Sequence, residues 1–210
     1  VCSSDLDLQG AIKSAIACKL SGAERRIGFA APWLRESAAS VFHTATVASS
    51  AAHIVDAYRD LVAFILQATG GSLTGPYPEF PLPLGDASMT PPEATARRFV
   101  IMNPGAGWQS KQWPAASFAK IADALADHYG LPTILNCGPG ERALAVQVQR
   151  ECRTARPDIF TGGIPAMIAL LRRARLMIGP DTGPLHLAAA LGVPTIGLFG
   201  PTDPTRNGPR

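Results

Sequence analysis

The sequence predicts an α/β protein with parallel sheets. Short apolar segments alternate with helical segments through residues 97–210. A stretch rich in proline and glycine over 73–96 separates that half from residues 7–72, which carry helical and strand segments of their own. Strands that alternate with helices form parallel sheets that are covered on both faces. We therefore expect two α/β domains, 7–72 and 97–210, joined by a linker.

In the first half, residues 1–6 read VCSSDL, the translation of a common sequencing adapter, and we expect them to be a non-native leader. Apolar residues at helical spacing predict a helix over 7–20, which Ser21 and Gly22 end. A strand over 25–31 follows. Two further helices are expected, one with little amphipathic contrast over 36–45 and a stronger one over 51–71. We also expect one short edge strand within the linker stretch.

In the second half the alternation becomes regular, and a proline stands at the first turn of its first helix. We predict strands over 97–102, 131–138, 158–163, 175–179 and 193–200, and helices over 114–129, 141–152, 164–174 and 183–192. Ligands of such sheets bind beyond the carboxyl ends of the strands. The polar residues that follow these strands are therefore the candidates for a functional site.

Composition limits the possible functions. The chain has 210 residues, 47% of them hydrophobic and 17% charged, with a formal net charge of +3, which suits a folded protein and not a disordered one. Basic residues are scattered, so we expect no nucleic-acid partner, whereas a polyanionic small molecule or an acidic membrane surface would suit the charge. The sequence contains no apolar run of about 20 residues and no signal-peptide pattern, so we expect a cytoplasmic protein.

The cysteines have no spacing that suggests a shared site. Cys2, Cys18, Cys137 and Cys152 form no CxxC pair and have no histidine at ligand spacing. Zinc sites and disulfide frameworks both rely on such spacings. We therefore expect neither a zinc site nor a disulfide framework.

The first polar cluster is NPGAGWQSKQWP, residues 103–114, after the first strand of the second half. Gly105 and Gly107 would let the backbone approach a ligand closely, and Lys111 follows within reach. The spacing is neither that of a dinucleotide fingerprint nor that of a Walker loop. Two interpretations of this cluster remain: a phosphate site, or a plain turn with a solvated lysine.

The second cluster is Glu141, at the start of a helix just after a strand. An acid there interacts favourably with the helix dipole, which is a sufficient explanation. A carboxylate at a strand end also accepts hydrogen bonds from ribose hydroxyls in dinucleotide folds. Both interpretations remain open.

The third cluster is GPDTGPLH, residues 179–186, between an apolar strand and an alanine-rich helix. Asp181 or Thr182 would cap the helix, yet a cap leaves His186 unexplained. Thr182 and His186 are four residues apart, so the hydroxyl, the N–H groups at Gly183 and the imidazole converge on one side of the helix start. An anion with a hydroxylated group beside it fits this point. A single Asp-Thr-Gly argues against an aspartic protease, which needs two such loops.

These motifs, together with DLQGAIKSA and RIGFAAPWLRE in the first half, resemble the bacterial heptosyltransferase family over nearly the whole chain. The family transfers heptose from ADP-heptose to the lipopolysaccharide inner core. The resemblance implies two Rossmann-like domains of the GT-B type, the first of them incomplete here, with the donor nucleotide bound mainly by the second. Another GT-B enzyme with a UDP-linked donor, or a non-catalytic nucleotide- or anion-binding module, remains an alternative.

The resemblance also implies roles for single residues. Lys111 would bind the donor diphosphate and stabilise it as the leaving group, with N–H groups from Thr182 and Gly183. Glu141 would hold the ribose, and Asp181 and His186 would face the heptose. Lys13 and Arg35 would meet the anionic lipid A-core acceptor, although Lys13 also fits a solvated helix face. The adenine would lie near residues 161–163.

The resemblance places the catalytic base on an aspartate in a glycine-containing loop near the native N-terminus, upstream of this sequence. We therefore expect the 210-residue chain alone to bind nucleotide weakly and to transfer nothing. Peripheral contact with the cytoplasmic face of the inner membrane would suit such an enzyme. No metal or cofactor is implied beyond the donor substrate.

Overall fold

The computed structural model describes residues 4–68, 70–73, 81–91 and 98–209. The chain divides into two compact units, residues 1–78 and 79–210. The boundary falls inside the stretch 73–96 that was assigned to the linker. Much of that stretch lies outside the described residues, so the exact domain limits stay predictions. Residues 81–91 form a 3-10 turn at Ala87–Met89 and no strand. The remainder of the expected edge strand's range lies outside the described residues.

The first unit contains a parallel sheet of three strands in the order β1-β2-β3. Its described elements are β1 Ser4–Asp7, α1 Ile12–Leu20, β2 Arg25–Phe29, a 3-10 helix Ser37–Phe42, β3 Ala45–Val47 and α2 Ile54–Ala68. Apolar residues of β2, β3 and α2 form its core, including Ile27, Phe29 and Leu61. The expected strand over 25–31 and helix over 51–71 are therefore present with shorter bounds.

The helix expected over 7–20 begins five residues late. Asp7 ends β1, and its Oδ1 accepts the N–H groups of Gln9 and Gly10 at 3.1 Å each. Gly10 has a φ of 62°, a left-handed conformation that breaks a helix before it can start. The helix then begins at Ile12, whose N–H donates to Glu36 Oε2 at 2.7 Å. The helix starts later than expected because side-chain oxygens bind the backbone N–H groups around its start. Hydrophobic periodicity carries no information about such bonds.

At two other segments of this unit, the structure differs from what the sequence predicted. The segment 36–45 forms a 3-10 helix and the start of β3 instead of one α-helix. Of the 3-10 helix only Ala39 is buried, so no apolar face holds a longer α-helix. Residues Ser4–Leu6, within the expected leader, pair with β2 as part of β1. The origin of residues 1–6 stays a prediction, and residues 1–3 lie outside the described set.

A buried polar pair lies at the carboxyl edge of this first sheet. His43 Nε2 is 3.1 Å from Asp7 Oδ2, and the two side chains are 0% and 1% exposed. A Cβ added at Gly28 would overlap the His43 ring. The absence of a side chain at Gly28 therefore allows the His43 imidazole to pack against β2.

The second unit is a five-stranded parallel sheet in the order β6-β5-β4-β7-β8. Its strands are β4 Val100–Met102, β5 Thr133–Asn136, β6 Asp158–Phe160, β7 Leu176–Pro180 and β8 Thr195–Leu198. Its helices are α3 Ala115–Tyr129, α4 Arg142–Glu151, α5 Ile164–Leu171, α6 Gly183–Ala190 and α7 Pro204–Asn207. Every strand and helix expected after residue 97 is present, within a few residues of its expected bounds.

Two apolar clusters lie against opposite faces of this sheet, because successive residues of a strand point to opposite sides. Phe99 and Ile101 belong to one cluster, with residues of α5 and α6. Val100 and Met102 belong to the other, with residues of α3 and α4. Both faces are thus covered, which explains why β4 is apolar at every position.

In the part of the chain that the structure describes, no helix is both long enough and apolar enough to cross a bilayer.

Candidate functional site

The strand order of the second unit creates a switch point at the carboxyl edge of its sheet, where open α/β sheets have a crevice. β4 lies in the centre, between β5 and β7. The chain runs outward from β4 to β5 and β6 on one side, and to β7 and β8 on the other, so the loops that follow β4 and β7 diverge. Such a switch point is where open α/β sheets bind their ligands. Residues 103–111 follow β4 and residues 181–183 follow β7, and both contain predicted site residues.

Buried asparagines hold the loop after β4 in place. Asn103 Nδ2 donates to the Gly105 carbonyl at 2.7 Å, and Asn136 Nδ2, from the end of β5, donates to Asn103 Oδ1. Gln112 Nε2 donates to the Ala106 carbonyl at 3.1 Å. No role for these residues was predicted from the sequence. An asparagine at the carboxyl end of two apolar strands is the signal that could have found them.

Glu141 lies directly against this loop. Its Oε2 accepts the Gly138 N–H at 2.8 Å, and it makes no capping bond to α4. A Cβ added at Gly105 would overlap the Glu141 carboxyl group, whereas one added at Gly107 would meet nothing within 4 Å. Glycine at 105 therefore makes space for the carboxylate. Gly107 leaves open space beside the loop.

Lys111, Asp181 and His186 come together across the switch point. Lys111 Nζ is 2.7 Å from Asp181 Oδ2 and donates to the Asp181 carbonyl at 3.3 Å. His186 Nε2 is 3.0 Å from Asp181 Oδ1. The side chains of Lys111, Asp181 and His186 are 21%, 10% and 42% exposed. The carboxylate is thus enclosed, while the lysine and the imidazole remain accessible from the crevice.

Burial opposes the ionisation of Asp181, but the hydrogen bonds from Lys111 and His186, together with the charge of Lys111, outweigh burial and lower the pKa of Asp181. The carboxylate is therefore ionised at neutral pH, and Lys111 has a permanent counterion. Because the ion pair is partly screened from water, it is stronger than an exposed pair.

The lowered pKa of Asp181 makes stability depend on pH with a defined sign. The ordinary pKa is 3.8, so ionised Asp181 stabilises the fold fully above that value, and its contribution is lost as the pH falls through the lower folded-state pKa. We expect wild type to be more stable than Asp181→Asn at neutral pH, with the difference shrinking below pH 3.8. Urea unfolding of both proteins across this range measures it. A difference that stays constant down to pH 2 would contradict the assignment.

Thr182 occupies the N-cap position of α6 but does not cap it. Its hydroxyl donates to the Pro180 carbonyl at 3.2 Å, and no side-chain capping bond is formed. The Thr182 hydroxyl that was expected to cap the helix therefore bonds back to β7, and the predicted cap is not formed. Gly183 begins the helix, and a Cβ added there would meet nothing within 4 Å. The first backbone N–H groups of a helix have no partners within the helix, so those of this helix start are candidates for binding a ligand.

Lys13 and Arg35 lie in the first unit and are both exposed. They lie near the same end of α1, since Lys13 is in its first turn and a Cβ added at Gly10 would lie 3.3 Å from the Arg35 nitrogen. No hydrogen bond or ion pair of either side chain is seen among the described residues. Their role in acceptor binding stays a prediction.

The second unit belongs to the Rossmann-like class of α/β domains, with a polar and partly charged crevice at its switch point. The chain as a whole is a member of glycosyltransferase family 9, the heptosyltransferases, because residues 4–210 match that family. The predicted fold class, α/β with parallel sheets in two Rossmann-like units of the GT-B type, is confirmed.

Curated relatives agree with the family. The chain is 32% identical over 203 residues to lipopolysaccharide heptosyltransferase 1 of Pseudomonas aeruginosa, which covers 95% of this chain and 54% of that relative. It is 38% identical over 110 residues to lipopolysaccharide heptosyltransferase 3 of Escherichia coli K12, which covers 50% of this chain and 31% of the relative. The chain thus spans about half the length of these relatives or less.

Solved structures show the same fold. The E. coli heptosyltransferase WaaC with ADP matches 99% of this chain and 63% of its own, with a TM-score of 0.72 and 24% identity. WaaC with ADP-2-deoxy-2-fluoro heptose matches 96% of this chain and 62% of its own, with a TM-score of 0.71 and 25% identity.

Proposed function

We propose that the protein is an inverting glycosyltransferase that transfers heptose from ADP-heptose to the lipopolysaccharide inner core. The observation that carries the proposal is the group Lys111, Asp181 and His186 at the switch point of a family 9 fold. It combines a cation for a diphosphate with a carboxylate and an imidazole for sugar hydroxyls. The named relatives and the ligands of the WaaC structures support the same donor.

In this proposal the donor diphosphate lies between Lys111 and the start of α6. Two N–H bonds of the Lys111 ammonium point to Asp181, which leaves the third for a phosphate oxygen. The N–H groups of Thr182 and Gly183 add the positive end of a helix dipole. Glu141, against Gly105, accepts from the ribose hydroxyls. Ile164, which is 71% exposed at the start of α5, offers an apolar surface to the adenine.

These positions suit the chemistry of transfer. The acceptor oxygen forms a bond to the anomeric carbon while the bond from that carbon to the diphosphate oxygen breaks, and the electron pair leaves with ADP. Positive charge grows on the sugar and negative charge on the diphosphate. Lys111 and the helix start are fixed donors aimed at the growing negative charge, which is the interaction that lowers the barrier. No metal or cofactor enters this scheme.

A base must take the proton of the acceptor hydroxyl. Asp7 follows a strand and precedes a glycine, as the family's base does, but its carboxylate is buried and bound by His43 and two N–H groups. We therefore give Asp7 no catalytic step. Lys13 and Arg35 are the proposed contacts of the anionic lipid A-core acceptor. The enzyme would work at the cytoplasmic face of the inner membrane, in peripheral contact with it.

Thermal-shift titration of the chain with ADP-heptose, ADP and UDP tests the donor. A ligand at 100 times its dissociation constant stabilises a fold by about 2.7 kcal/mol. We expect ADP-heptose and ADP to raise the unfolding temperature and UDP to raise it less. A larger shift with UDP would favour a UDP-sugar transferase. Equal shifts with ADP and inorganic pyrophosphate would favour a plain anion-binding module.

Gly105→Ala should weaken ADP binding about tenfold, because the new methyl group displaces the Glu141 carboxylate from its place beside the ribose. Gly71→Ala is the matched control, since Gly71 lies in the first unit and its methyl group would make only ordinary contacts, 3.4–3.5 Å from Leu66 atoms. Isothermal titration of both variants with ADP measures the effect. Equal affinities for the two variants would contradict the role of Glu141.

A further inference from the structure

The segment that follows β2 is joined to the start of α1 through Glu36. Glu36 Oε2 accepts the Ile12 N–H at 2.7 Å, and the Glu36 N–H donates to the Gly10 carbonyl at 3.1 Å. Ala11, at the N-cap position of α1, has a methyl side chain that cannot accept a hydrogen bond. A carboxylate near a helix start also interacts favourably with the helix dipole. Glu36 therefore supplies, from 24 residues away, the acceptor that the N-cap residue lacks.

Close packing beside these two bonds fixes the backbone of Arg35. A Cβ added at Gly10 would lie 3.1 Å from Leu34 Cα and 3.3 Å from the Arg35 nitrogen. The Arg35 backbone is thus held against the turn that precedes α1, directly before the residue that makes both bonds. Lys13 lies in the first turn of the same helix. The contacts of Glu36 therefore bring the backbones of Arg35 and Lys13 to one end of α1.

This arrangement places two cations where the fold itself gains nothing from them. Lys13 and Arg35 are exposed, and the ion pairs of the described residues involve neither of them. The N-terminal end of a helix carries the positive end of its dipole, so cations there are unfavourable. Glu36, the neighbour of Arg35, binds a backbone N–H and forms no ion pair with either cation. An anion bound from outside would offset the unfavourable charge.

We infer that Glu36 is a positioning residue for the anionic acceptor, because its bond to the start of α1 holds Arg35 near Lys13. The inference rests on the proposed function, in which Lys13 and Arg35 contact the lipid A-core. Glu36 itself touches no acceptor group. Without its bond the segment that carries Arg35 is held less firmly, and an anion that needs both cations binds more weakly.

Glu36→Ala and Glu36→Gln test the inference as a pair. Both variants remove the negative charge, but only glutamine keeps an oxygen that can accept the Ile12 N–H. Isothermal titration with heptose-free lipid A-core in neutral detergent micelles should show about fivefold weaker binding for Glu36→Ala. Glu36→Gln should bind at least as tightly as wild type. Glu24→Ala is the control, since it removes an equal charge from an exposed position of the same unit and should match wild type.

The direction of the change separates positioning from charge alone. If the Glu36 carboxylate only repelled the acceptor, both variants would bind it more tightly than wild type, and that result would overturn the inference. Unchanged binding in Glu36→Ala, or a loss that glutamine does not restore, would overturn it as well. So would a Glu36→Ala chain that circular dichroism shows to be unfolded, since the bond would then hold the fold and not the site.

Two further titrations distinguish failure of this inference from failure of the proposed function. ADP affinity should stay at the wild-type value in every Glu36 variant, because the donor site lies in the second unit. Arg35→Ala should weaken acceptor binding at least as much as Glu36→Ala does. If Arg35→Ala binds the acceptor as wild type does, the proposed acceptor contacts are wrong and the inference fails with them.

Discussion

Replacing Lys111 by methionine should weaken binding of both ADP and ADP-heptose by about tenfold to a hundredfold, the value of a hydrogen bond between charged groups. Methionine keeps much of the stem's volume and removes the ammonium that the proposed diphosphate site needs. The change also removes the counterion of Asp181, so a carboxylate that is 10% exposed stays in the crevice without its cation. Repulsion between that carboxylate and the diphosphate adds to the loss.

Lys120→Met is the matched control for this experiment. Lys120 lies on α3 and is exposed, so its replacement changes the net charge equally without touching the switch point. Isothermal titration of wild type and both variants at two salt concentrations measures the effect. If Lys111→Met binds ADP as tightly as Lys120→Met does, the diphosphate lies elsewhere and the donor-site assignment is wrong.

The second large effect concerns stability. Asp7→Ala should destabilise the first unit by about 3 kcal/mol, because each buried donor left without an acceptor costs about 1–3 kcal/mol. The change leaves the His43 Nε2 without its partner and removes the acceptor of two backbone N–H groups, those of Gln9 and Gly10. The turn between β1 and α1 then loses the interactions that hold it.

Urea unfolding, followed by circular dichroism, measures this loss. Asp5→Ala is the control, since Asp5 is in the same strand and accepts one exposed local bond from the Leu6 N–H. Gly28→Ala gives an independent reading, because its methyl group would overlap the His43 ring while Asp7 stays intact. Both Asp7→Ala and Gly28→Ala should unfold at lower urea than Asp5→Ala. Equal midpoints for Asp5→Ala and Asp7→Ala would show that the buried pair contributes no stability.

The second unit could be predicted well from the sequence, because a parallel sheet imposes a clear hydrophobic pattern on its strands. Its strands are buried on both faces and read as continuous apolar segments between helices. Since the carboxyl ends of parallel strands share one edge, Lys111, Asp181 and His186 could be expected near one another, although 70 residues separate the first two. That part of the site follows from topology alone.

The first unit was harder to predict, because tertiary contacts decide its elements. The start of α1 depends on the carboxylates of Asp7 and Glu36, and Glu36 is 24 residues from the N–H it accepts. The Asp7–His43 pair spans 36 residues, and the asparagine pair after β4 and β5 spans 33. Hydrophobic spacing carries no information about such pairs. The Thr182 hydroxyl likewise donates to the Pro180 carbonyl and forms no capping bond, and sequence spacing does not distinguish between these two partners.

The Lys111–Asp181 pair also sets which anions the crevice admits. A small inorganic anion that approaches Lys111 must compete with a carboxylate 2.7 Å away, and it obtains little else in return. In the proposed donor site, a nucleotide sugar would compensate for that competition with contacts to Glu141, to the start of α6 and to the carboxylate itself. Discrimination is a difference between such affinities. If the proposed donor site is correct, the Asp181 counterion would select against chloride and free phosphate and in favour of nucleotide sugars.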